Sequence, residues 1–111
     1  MCCLLNLLEE IKQDIAESLK KIDFYNDPLA LDKSEELKAM QIAADTMIMY
    51  ANRNAAKLQL LAEQEKNPDR KAELLEMAKV CRNVPENAPQ TFHEALQYYW
   101  FVHLAVITEL N

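Results

Sequence analysis

A di-iron centre in a helical protein needs a glutamate three residues ahead of a histidine on each of two helices, with both pairs projecting inward. The two histidines here are His93 and His103, and the residues three places before them are Gln90 and Trp100. That spacing supplies no carboxylate, so the motif is absent. The three cysteines are no better placed. Cys2 and Cys3 are adjacent, which is not a zinc-ligand spacing, and Cys81 has neither a second Cys nor a His near it in the chain. Cys81 lies on an apolar stripe, where a free thiol reads as a small buried hydrophobe rather than a nucleophile. An odd number of cysteines without a disulfide framework fits a reducing cytosol, so a cytoplasmic location is expected.

The other polar candidates have plain structural readings. His103 sits on an apolar face and is expected to be a core histidine bonded to a carbonyl. His93 stands beside Glu94 in a first helical turn and is expected to be solvated. The neighbouring carboxylates Glu9-Glu10 and Glu35-Glu36 lie near helix starts, where the dipole favours them. Acid-base work by such a pair would need a pocket, and nothing in the pattern indicates one. Met40, Met47, Met49 and Met77 read as packing residues rather than a promiscuous binding surface. Tyr98, Tyr99, Trp100 and Phe101 are consecutive on a helix, so they point in different directions and cannot form a base-stacking platform. The 111 residues include no glycine, which rules out a phosphate-cradling loop within them. No catalytic, cofactor-binding or metal-binding residue is therefore assigned, and no cofactor is expected in this chain.

The elements that carry these residues read as all-α, with about four helices at 3–24, 33–66, 69–82 and 91–110. In the first, Leu4, Leu8, Ile11, Ile15, Leu19 and Ile22 recur at steps of three and four. It is expected to stop in a turn at Tyr25, Asn26, Asp27 and Pro28. Asp32 is expected to cap the second helix, with Glu35 reaching back. Leu37, Met40, Ala44, Met47, Ala51, Ala55, Leu58 and Ala62 form its main stripe. Ile42, Ile48, Met49, Leu60 and Leu61 fall off that stripe, so the helix is expected to bury more than one face. Its heptad flavour admits a coiled-coil dimer, although charges are sparse between Met40 and Ala51. Asn67-Pro68 opens the third helix, which points Leu74, Leu75, Ala78 and Cys81 inward. A proline-punctuated connector follows, and Thr91 with Glu94 forms a capping box for the fourth.

The fourth helix is apolar on every side from Tyr98 to Ile107, and such a helix is normally enclosed by other protein. The chain stops at Asn111 without a capping glycine or polar tail, so it reads as cut rather than finished. The run that starts at Tyr98 is about half the ~20 residues a membrane span requires, and the N-terminus has no basic region typical of a signal peptide. No membrane association is expected. Charged residues make up 27% of the chain and the formal net charge is −6. The scattered basic residues form no patch, which argues against a nucleic-acid partner.

The sequence also carries a family resemblance. Residues Arg70-Lys71-Ala72-Glu73-Leu74-Leu75, Cys81-Arg82-Asn83-Val84-Pro85, Pro89-Gln90-Thr91-Phe92-His93-Glu94-Ala95-Leu96-Gln97 and Trp100-Phe101-Val102-His103-Leu104 resemble the glycyl radical enzymes of the pyruvate formate-lyase (formate acetyltransferase) type. Upstream, Lys21-Ile22-Asp23-Phe24-Tyr25, Glu36-Leu37-Lys38-Ala39-Met40 and Tyr50-Ala51-Asn52-Arg53 look like that family's preceding helices. The likeness covers roughly residues 11–111. It implies a helical portion of a larger α/β-barrel enzyme, upstream of the catalytic cysteine loop.

In that family a backbone glycyl radical oxidises a barrel-loop cysteine to a thiyl radical, which abstracts hydrogen from substrate. A glutamate two residues after that cysteine often acts as acid or base. None of these groups is present in the sequence. The resemblance implies a fragment that is inert alone, from an anaerobic, cytosolic, homodimeric parent. A radical S-adenosylmethionine activase would install the parent's radical. The segment looks closer to the dehydratases, decarboxylases and C–N or C–S lyases than to true pyruvate formate-lyase. The expected partner is the rest of the parent enzyme, or another helix packing on the face between Tyr98 and Ile107. The alternative is a stand-alone helical protein-interaction module.

Overall fold

The computed structural model describes residues 8–109, which form four helices: α1 (Leu8–Lys20), α2 (Ala30–Gln64), α3 (Pro68–Asn83) and α4 (Phe92–Glu109). No strand occurs among the described residues. Cys2, Cys3 and Leu4, the expected start of the first helix and the end of the chain lie outside them.

Local side-chain chemistry sets the boundaries, and it moves several of them. α1 stops at Lys20, four residues before the expected end. The cause is Asp23, whose carboxylate accepts from the backbone N–H of Tyr25 at 2.9 Å and of Asn26 at 3.2 Å. An aspartate that binds backbone this way offers the chain a turn in place of further helix. α2 begins at Ala30 rather than residue 33, and Leu29 holds its N-cap position without a side-chain cap. Asp32 therefore lies inside the first turn and does not cap. The nearby Asp27 accepts from Leu29 N–H at 2.9 Å through its side chain and from Ala30 N–H at 3.1 Å through its carbonyl. Lys33 then pairs with Asp27 at 2.5 Å, tying the turn to the new helix.

At its far end α2 stops at Gln64, two residues before the expected end. The Glu65 carboxylate accepts from Lys66 N–H at 2.8 Å and Asn67 N–H at 3.0 Å. Asn67 caps α3 by accepting from Asp69 N–H at 2.9 Å, and Pro68 takes the first helical position, as expected. The short link folds α3 back along α2, the most extensive helix pairing in the molecule.

The core is thin and built on small residues. Ala51 and Ala55 of α2, Cys81 of α3 and Phe101 of α4 form its centre, with Leu58 packed against them. The alanines let the helices approach closely around one large ring. α1 is tied to α2 by Lys12, whose ammonium reaches Asp45 at 2.7 Å. That bond holds the Lys12 amine above its usual range.

The expected α2 stripe is buried or half-buried except at Met40, which is 54% exposed. On the second apolar face of α2 only Ile48 is half-buried. Ile42, Met49, Leu60 and Leu61 are exposed, correcting the expectation of two buried faces. On α3, Leu74, Ala78 and Cys81 point inward, whereas Leu75 is exposed. Both departures have one cause. The other described helices all pack on α2, and no further described element covers the remaining apolar side chains.

Candidate functional site

The residues that could do chemistry are dispersed and engaged in local structure. Glu9 pairs with Lys12 at 3.6 Å and Glu35 with Lys38 at 2.8 Å, helical contacts between residues three apart. Cys81 is a free, buried thiol, and burial pushes its pKa up. A thiol held protonated in apolar surroundings is a poor nucleophile. His93 is exposed, as expected for a first-turn residue.

His103 departs from its expected setting. It is half-buried, and its ring lies nearly parallel to Tyr99, with centroids 5.9 Å apart and planes at 12°. Trp100 packs on the same ring at 5.7 Å, tilted by 33°. His103 thus belongs to an aromatic cluster rather than to a carbonyl in the core. Its neighbours Tyr99 and Trp100 are exposed, Tyr98 is half-buried and Phe101 is buried, so these consecutive rings diverge as helical geometry requires.

Glu94 is the best-organised carboxylate. Its Oε2 accepts from Gln90 N–H at 2.6 Å, while its own N–H donates to Thr91 Oγ1 at 3.1 Å. The expected capping box is therefore made, with Glu94 reaching one residue further back than Thr91. The bond from Gln90, outweighing burial, holds the Glu94 carboxyl below the usual glutamate range. It acts as an anchor for the start of α4.

One concave feature stands out, a groove of about 650 Å³ between α2 and α4. Ala39, Ile42, Ala43, Thr46, Met47 and Tyr50 line it from α2. Phe101, Leu104, Ala105 and Thr108 line it from α4. Tyr50 meets Phe101 edge-on at 6.0 Å. The two threonine hydroxyls turn back onto their own helices, Thr46 to Ile42 O at 2.7 Å and Thr108 to Leu104 O at 2.9 Å. Among the described residues, no carboxylate, imidazole, thiol or amine lines the groove. It can hold apolar matter; it offers no acid-base couple. The sequence reading missed it because its floor is alanine, which carries no periodic signal. The off-stripe Ile42 was the one available clue. Among the described residues no group of three or more His, Cys, Asp and Glu side chains is placed to hold a metal, and no helix is long and apolar enough to cross a membrane.

Comparison with known proteins gives this arrangement a context. The family model for pyruvate formate lyase-like proteins matches residues 5–111. The chain belongs to the pyruvate formate lyase-like family. Within that family it is 45% identical over 102 residues to trans-4-hydroxy-L-proline dehydratase of Clostridioides difficile, covering 92% of this chain and 13% of the relative. It is 38% identical over 94 residues to isethionate sulfite-lyase of Nitratidesulfovibrio vulgaris, covering 85% and 11%. The crystal structure of the Clostridioides difficile hydroxyproline dehydratase, solved with substrate bound, superposes on 95% of this chain with a TM-score of 0.91 and 42% identity. The match spans 13% of that longer chain.

The resemblance to glycyl radical enzymes is thereby confirmed, as is the all-α reading of a helical portion of a much larger enzyme fold. These relatives are a dehydratase and a sulfite-lyase, so the formate acetyltransferase label gains no support from them.

Proposed function

We propose that this chain serves as a helical scaffold segment of a glycyl radical dehydratase or related lyase, supplying packing surface and no reacting group. The observation that carries this reading is the TM-score of 0.91 over 95% of the chain against only 13% of the dehydratase. The sequence content points the same way. Without a glycine it has no residue to carry a glycyl radical, and its one described cysteine is buried and held protonated. In this reading the thiyl and glycyl radicals belong to the rest of a parent polypeptide, and the 111 residues alone are inert. The parent would be homodimeric, cytosolic and activated by a radical S-adenosylmethionine enzyme, as the resemblance implies. Its reaction would be an elimination from a small polar substrate, in keeping with the dehydratase and lyase relatives.

A chimera tests this. Residues 8–109 replace the matching segment of the Clostridioides difficile dehydratase, and the product is activated anaerobically. The expected result is a glycyl radical signal in electron paramagnetic resonance, with dehydration within about tenfold of the parent, a difference of roughly 1.4 kcal/mol in the barrier. A folded chimera that holds the radical but does not turn over would overturn the scaffold reading, because the segment would then be supplying a reacting or substrate-selecting group.

The second reading, a stand-alone interaction module, rests on the exposed apolar residues of α4. Phe92 is 80% exposed and Tyr99 is 65% exposed. It requires the chain to exist in the cell at its own length, which the intact mass of the natural product decides.

A further inference from the structure

We draw no further inference here: the strongest candidate, the apolar groove between α2 and α4 lined by Ile42, Met47, Tyr50 and Leu104, carries none, because it belongs to a segment that matches 13% of a far longer dehydratase and nothing in the structure shows what covers it.

Discussion

Three side chains at the α3–α4 junction make the residue-scale claims testable. Thr91 and Glu94 close the start of α4, so Thr91→Ala is expected to cost about 1 kcal/mol, as removal of an N-cap hydroxyl does. Urea denaturation of the two proteins measures the difference. Glu94 adds a pH dependence whose sign follows from its lowered pKa. A carboxyl with a depressed folded-state pKa binds fewer protons folded than unfolded. Its stabilisation is therefore present above the ordinary glutamate value of 4.5 and fades as pH falls through the folded value. Glu94→Gln should flatten that acidic limb of the urea midpoint against pH; an unchanged limb would mean that the carboxylate anchors nothing. Cys81, buried with its thiol pushed up, should resist iodoacetamide in native buffer and react promptly in denaturant, read residue by residue by mass spectrometry. Much of this was legible beforehand. The Thr91–Glu94 spacing announced a capping box, and the apolar stripe announced a buried Cys81. The aromatic setting of His103 was not legible, because its stack on Tyr99 depends on rotamers that spacing alone does not set.

At the scale of elements, four helices were readable from periodicity, while their ends were decided by acidic side chains that bind backbone. Asp23, Asp27 and Glu65 each capture N–H groups within three residues, a local competition that a hydrophobic stripe does not register. The expected cap at Asp32 failed for that reason, since Asp27 had already organised the turn. The packing rests on alanines around one ring. Phe101 is 5% exposed against Ala51 and Ala55, and Phe101→Ala should cost about 3–5 kcal/mol by leaving a cavity beside those alanines. Hydrogen exchange should then show α4 amides losing protection before those of α2 and α3. Ala55, fully buried, should be as intolerant of enlargement. Ala55→Leu is expected to cost about 1–3 kcal/mol by forcing α2 off its neighbours. A variant as stable as the parent would mean that the helices do not meet closely at that point.

The whole molecule is extended. Its radius of gyration is 17.7 Å, against about 13 Å for a compact domain of this length. The long axis of α2 runs past its neighbours and leaves apolar faces uncovered. That geometry is what joins the bare groove, the exposed apolar residues of α4 and the match to one part of a far longer dehydratase. The sequence carried the hint in the all-round apolar character of α4, but not the groove, whose alanine floor is defined only once α2 and α4 are set side by side. The central claim is that these helices work as part of a larger glycyl radical polypeptide. The most direct test is the intact mass of the natural product in anaerobically grown source cells, detected with an antibody raised against residues 91–111. A species several times heavier than 12.8 kDa is the expected result. A species at 12.8 kDa would contradict the claim and establish the helical segment as a protein in its own right.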